Sequence, residues 1–257
     1  MNKQLLLAAI LIAPFYSHAD DCRYSKDYDF SADAASLESL RLDVGAGKLI
    51  VTGNSARNEV SVVATACANT SERLEELDLN HRARDSELLV RTERHRSRSF
   101  LSWLSFGNNY SHINVEVTMP SDLALDVDDG SGSVEISNVS SLSLKDGSGS
   151  ILIDNISGDV DVDDGSGSIY IFGVSGIVSI EDGSGPIRIR DSNEVAIIDD
   201  GSGDISIENI HSNVNIRHDG SGGIRIRDVA GDVEIGDAGS GSVDVSGVAG
   251  VYNFRDN

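Results

Sequence analysis

Asp146-Gly147-Ser148-Gly149-Ser150-Ile151-Leu152-Ile153-Asp154-Asn155-Ile156-Ser157-Gly158-Asp159-Val160-Asp161-Val162-Asp163-Asp164-Gly165-Ser166-Gly167 holds one full period of this chain. Two short runs alternate apolar and polar residues, and a Gly-Ser-Gly corner opens each period. Period-two alternation marks half-buried β-strands, since successive side chains point to opposite faces. Gly-Ser-Gly recurs from Gly130, Gly147, Gly165, Gly183, Gly201, Gly220 and Gly239, at spacings of 17, 18, 18, 18, 19 and 19 residues. Asp precedes the first six, as Asp129, Asp146, Asp164, Asp182, Asp200 and Asp219; the seventh is shifted to Asp237-Ala238-Gly239.

After the corners come Val134/Ile136, Ile151/Ile153, Ile169/Ile171, Ile187/Ile189, Ile205/Ile207, Ile224/Ile226 and Val243/Val245. Before them sit Leu125/Val127, Leu142/Leu144, Val160/Val162, Val178/Ile180 and Ala196/Ile198, then Val214/Ile216 and Val233/Ile235 displaced by one residue. A second turn falls near Asn138, Asn155 and Val229-Ala230-Gly231. A single antiparallel meander would leave its apolar face open. Coiling each ~18-residue unit stacks equivalent strands about 4.8 Å apart and lets two sheets bury Val, Ile and Leu between them. The sequence therefore predicts an all-β fold: a β-solenoid with two strands per coil, seven regular coils spanning ~34 Å. A thin core of small residues also accounts for an aromatic content of only 5%.

Upstream the same grammar is worn. Leu40/Leu42, Gly45-Ala46-Gly47 and Leu49/Val51 align with Leu125/Val127, Gly130-Ser131-Gly132 and Val134/Ile136. Val60/Val62, Leu88/Val90 and Ile113/Val115/Val117 read as further strands, and Ser71 to Leu79 as a short surface helix. The expected organisation is a signal peptide over 1–19, an irregular start of one continuous solenoid over 20–120 with an inserted loop at 95–111, and regular coils over 121–257.

The leader reading rests on Lys3, the apolar run Leu5 to Phe15 and Ser17-His18-Ala19, with cleavage expected after Ala19. The run is too short to cross a bilayer as a helix. No later stretch is apolar enough to do so. Export makes the periplasm the expected location, with the cell surface or medium as alternatives. In an oxidising compartment Cys22 and Cys67 are expected to pair, since no Cys-x-x-Cys is present and two sulfurs make a poor zinc site.

Leu40-Arg41-Leu42-Asp43-Val44-Gly45-Ala46-Gly47-Lys48-Leu49, Thr65-Ala66-Cys67-Ala68 and the Asp-Gly-Ser-Gly series resemble the bacterial "putative adhesin" family, a domain of unknown function. The resemblance covers nearly all of the mature chain. It implies a right-handed, β-helix-like solenoid in an exported protein, and it carries no catalytic residues.

Charge narrows the function. The 257 residues hold 20 basic and 42 acidic side chains, a net −22. From Ser121 onward 26 acidic face 7 basic residues, so −19 of the charge lies in the regular coils. A nucleic-acid groove is excluded by that balance. No His-Glu-x-x-His, Gly-x-Ser-x-Gly or phosphate loop is present, so an enzyme is not expected. No Thr follows Thr118, which removes the Thr array of an ice-binding face.

Three features are candidate sites. The first is the corner row Asp129, Asp146, Asp164, Asp182, Asp200 and Asp219. These side chains are expected to accept from turn amides with their charge in water; the alternative is Ca²⁺ between coils, in a calcium-binding adhesive repeat. The second is Arg188, Arg190, Arg225 and Arg227, expected on an outward face with Glu208 between Arg190 and Arg227. An Arg–Glu–Arg ladder is the favoured reading, and a face for an anionic glycan or lipid headgroup the sharper one. The third is Phe100, Trp103 and Phe106, at the end of a basic run that includes Arg82, Arg84, Arg91 and Arg94. This loop is expected to cap the solenoid, or else to touch a membrane or partner. The function expected is a non-enzymatic structural or adhesin-like module of the envelope, with an envelope protein or a glycan as partner.

Overall fold

The computed structural model describes residues 22–95 and 110–255. The leader expected over 1–19 and the aromatic loop with Phe100, Trp103 and Phe106 lie outside these residues. Strands dominate, in the order β1 (Tyr24–Asp33), β2 (Ser39–Gly53), β3 (Glu59–Ala68), helix α1 (Ser71–Glu75), β4 (Leu77–Arg84), β5 (Glu87–Arg94), β6 (Ser111–Met119) and β7 (Ala124–Ser137). Pairs then follow, one pair per coil: β8 (Ser141–Asp146) and β9 (Gly149–Ile156), β10 (Val160–Asp164) and β11 (Gly167–Val174), β12 (Ile177–Asp182) and β13 (Ile187–Ser192). They continue as β14 (Glu194–Asp200) and β15 (Ile205–Ile210), β16 (Val214–His218) and β17 (Ile224–Val229), β18 (Val233–Asp237) and β19 (Val243–Val248), and end at β20 (Tyr252–Phe254).

Two parallel ladders result. The strand before each corner stacks on its equivalent: the first half of β7, then β8, β10, β12, β14, β16, β18 and β20. The strand after it does the same through the second half of β7, β9, β11, β13, β15, β17 and β19. Their inner faces meet in one column of buried aliphatics, such as Leu142, Leu144, Ile151, Ile153 and Ile156. The predicted β-solenoid is the fold.

One repeat departs from the expected phase. Val195 and Ile197 are buried, not Ala196 and Ile198. Between β12 and β14 the register slips after Ile180. Ile180 faces Ile197 and Glu181 faces Asp199, so Ile198 is the extra residue of a bulge. The one-residue displacement thus begins a coil earlier than the glycine spacing suggests.

The second corner has its own column. Asn138, Asn155, Gly173, Asp191, Asn209, Asp228 and Gly247 all have positive φ, between 52° and 69°. Only Gly, Asn and Asp visit this left-handed region readily. Asn155 also donates from Nδ2 to Asn138 Oδ1 at 2.6 Å. Asn155→Gly is expected to be nearly neutral and Asn155→Val to cost about 1–2 kcal/mol, read by thermal melting.

The N-terminal part is not a run of serial coils. β2 is a full coil, in parallel register with both halves of β7, and Leu40, Gly47 and Leu49 face Leu125, Gly132 and Val134 as the sequence suggests. The chain then leaves the stack. On the other side of β2 lie β5 and β6, each parallel to one half of it. Beyond them β4 runs antiparallel to β5, β3 to β6, and β1 to β3. Val60 and Val62 are therefore strand residues of an antiparallel cap and not of a further coil. Pairing in either direction gives the same alternation of buried residues, so alternation could not separate the two. The helix is also shorter than expected. It ends at Glu75, and Leu77 and Leu79 are buried strand residues of β4.

Candidate functional site

Parity decides what each ladder shows to solvent. On the strands after the corner, one outward row reads Leu152, Tyr170, Arg188, Ser206, Arg225 and Asp244, each the direct partner of the next. The adjacent row reads Asp154, Phe172, Arg190, Glu208, Arg227 and Ser246. Arg188, Arg190, Arg225 and Arg227 are exposed, Tyr170 and Phe172 half-buried, and Leu152 is 38% exposed. The Arg188 guanidinium lies 5.5 Å from the centre of the Tyr170 ring. The patch is aromatic toward one end, with the arginines in the strands beyond.

The arginines are partnered unequally. Arg190 Nε is 3.2 Å from Glu208 Oε2, and Arg225 Nε is 3.8 Å from Asp244 Oδ2. Among the described residues Arg188 and Arg227 form no ion pair. Only one half of the expected Arg190–Glu208–Arg227 ladder closes. The outward face of the other ladder is acidic, with Asp161, Asp163, Glu181 and Asp199 exposed.

Three arginines of the basic run before the aromatic loop pair with nearby carboxylates. Arg91 Nη2 lies 2.7 Å from Asp43 Oδ2, Arg94 Nε 3.7 Å from Glu76 Oε2, and Arg84 Nε 3.6 Å from Asp85 Oδ2. Cys22 and Cys67 form a disulfide, with Cα atoms 5.3 Å apart.

The corner aspartates differ from expectation. Asp129, Asp146, Asp164, Asp182, Asp200 and Asp219 stand in register, one per coil. They do cap turn amides: Asp146, Asp164, Asp182 and Asp200 accept through Oδ1 from the N–H of Ser148, Ser166, Ser184 and Ser202 at 3.0–3.2 Å. Their charge is not in water, however, because all six are at most 5% exposed. Asp146 lies two residues beyond Leu144 and four beyond Leu142, so it shares their inward parity. That parity was the available signal, and turn chemistry alone hid it. Burial pushes the carboxyl of Asp129 up to about 8, reinforced by the charge of Asp146. It raises Asp200 to about 7 and Asp164 and Asp182 to about 6, with neighbouring row members adding to it at Asp200 and Asp164. Asp146 and Asp219 are raised for the same first reason, at Asp146 against the turn amides that favour the charged form. The carboxyls form a line, not a cage. Among the described residues no three His, Cys, Asp or Glu side chains converge as a metal site, and calcium needs six to eight oxygens around one point.

A β-solenoid with an antiparallel cap, an aromatic–arginine face and an acidic opposite face defines the class. Residues 37–249 match the Toastrack DUF4097 family, and the chain belongs to it. No curated protein matches. Among solved structures it is similar to a "putative cell adhesion protein" from Clostridium sporogenes ATCC 15579, at 13% identity over 91% of this chain and 100% of that one, TM-score 0.38. It is also similar to a "putative adhesin" from Bacteroides fragilis NCTC 9343 (13% identity, 90% and 97% covered, TM-score 0.39). Another "putative adhesin", from Parabacteroides distasonis ATCC 8503, shares 11% identity over 89% and 97% of the two chains, TM-score 0.41. At these scores the likenesses say nothing of what this chain binds.

Proposed function

We propose that this chain is an exported, non-enzymatic, adhesin-like module of the cell envelope, and that its binding surface is the face bearing Tyr170, Phe172, Arg188, Arg190, Arg225 and Arg227. The ligand class is an anionic glycan. The observation that carries this reading is Arg188 over Tyr170, with Arg227 two strands further along the same face forming no ion pair among the described residues, in a half of the chain that is otherwise strongly acidic. Aromatic faces stack on the apolar faces of sugar rings, and guanidinium forks bind carboxylate or sulfate in two-pronged fashion. The regular strand spacing suits an extended polymer. The surrounding negative charge rejects anions that cannot reach several arginines at once.

The test is calorimetric titration with uronic-acid and sulfated polysaccharides, comparing the parent with Arg188→Gln/Arg227→Gln. Binding is expected to fall by roughly tenfold or more in the variant, and to weaken with added salt in the parent. Equal binding by parent and variant would remove the face from the function.

A further inference from the structure

The aspartate column takes no part in that face, and it has an unmet requirement of its own. In each of Asp129, Asp146, Asp164, Asp182 and Asp200 the Oδ2 atom is buried without a hydrogen-bond partner, and in Asp219 both oxygens are. Each residue is the direct strand partner of the next, so the backbones are about 4.8 Å apart. Bare carboxylates at that spacing would leave seven buried oxygens unmet and set like charges against each other in a low dielectric. A carboxylic acid differs in one respect. Its O–H can donate to the oxygen of the next carboxyl, so one proton satisfies two orphan atoms.

We propose that the column from Asp129 to Asp219 is a proton-holding ladder, in which neighbouring coils share protons between their carboxyls and the stack loosens when those protons leave. The titration follows the same geometry. The ordinary Asp value is near 3.9, and the folded values rise to about 6 at Asp164 and Asp182, about 7 at Asp200 and about 8 at Asp129. The folded state therefore binds more protons than the unfolded one across that interval. Stability is full below the ordinary Asp value and falls as pH rises through the folded values. The charged groups around the column mostly push the same way: Asp128 beside Asp129, Asp199 beside Asp200, and Asp204 and Asp237 facing Asp219. His218 opposes them at Asp219 when protonated. On the cap side the strand partner of Asp129 is Val44, which carries no charge.

The experiment uses the full chain with chelator present. The infrared carbonyl band of protonated carboxyls is expected to persist at about pH 6, where ordinary aspartates are ionised. Between about pH 5 and about pH 9 the Tm is expected to fall by on the order of 10 °C. Repulsion within a −22 chain also grows with pH, so two double variants separate the effects. Asp164→Asn/Asp182→Asn, whose amides can donate at any pH, is expected to reduce that fall and to melt above the parent at about pH 9. Asp161→Asn/Asp163→Asn makes the same charge change on the exposed face and is expected to leave the fall nearly unchanged. Absence of the protonated band in the parent would overturn the proposal whether or not the variants fold. So would equal slopes for the two variants, or loss of the band on adding calcium with a rise in Tm.

Discussion

Gly167→Ala is expected to destabilise the solenoid by roughly 4 kcal/mol or more, measured by urea denaturation. Two costs combine. Gly167 has φ of +149°, a conformation that L side chains rarely adopt. A Cβ there would also stand 1.6 Å from the carbonyl oxygen of Gly149 and 2.7 Å from its carbonyl carbon. The obstacle is backbone, and it cannot turn aside. Gly149 is itself pinned, since its N–H donates to Ser166 O at 2.9 Å. The slot repeats: Gly149 meets Gly132 O, Gly185 meets Gly167 O and Gly203 meets Gly185 O, all within 1.8 Å. The column of second corner glycines is thus a stack of backbones, each filling the space that the next one leaves by lacking a side chain. Gly173 supplies the contrast. It lies at φ +66°, and a Cβ there meets nothing closer than 3.5 Å. Gly173→Asn is expected to be close to neutral, because Asn155 and Asp191 occupy the same place in the two neighbouring coils. A similar loss for both variants would show that glycine content as such, and not the Gly-on-Gly contact, sets the stability.

The same contrast explains what could be read from sequence. The Gly-Ser-Gly corner was legible because only glycine meets its demand, so one letter recurs. At the second corner Asn, Asp and Gly serve equally, and the recurrence spreads over three letters. Its positions nevertheless keep the spacing of the glycines, from Asn138 to Gly247. The strands were legible by alternation, down to the pairing of Leu40 with Leu125. Direction was not, so β3 and β4 could not be recognised as an antiparallel cap. The Arg face was visible from parity alone. Its aromatic end was less so, because Tyr170 and Phe172 matter only through their place beside Arg188 and Arg190 in the next strand. The aspartate column was misread for a physical reason. Asp before a turn is ordinarily a solvated cap, and only the inward parity it shares with Leu142 and Leu144 shows that the corner folds its carboxyl into the core.

Loss of the Cys22–Cys67 disulfide is expected to cost about 4 kcal/mol through the unfolded-chain entropy of its 45-residue loop. Where that loss falls is the more informative outcome. β1 buries little: Tyr28, Phe30 and Ala32 are only partly covered, and most of the strand is exposed. It is held by its antiparallel ladder to β3, by the Tyr28 hydroxyl donating to Leu77 O at 3.0 Å, and by the disulfide. Without the bridge, β1 should fray first and bare the edge of β3, an open template for pairing with another chain. The regular coils should be spared, because in a solenoid each repeat is stabilised mainly by its neighbours. Cys22→Ala/Cys67→Ala is therefore expected to lose amide-exchange protection in β1 and β3 and to gain a concentration-dependent tendency to aggregate. Amides from β11 to β17 should exchange as in the parent. An equal loss of protection along the whole stack would mean that cap and coils unfold as one cooperative unit. The disulfide would then be holding the entire solenoid closed from its N-terminal end.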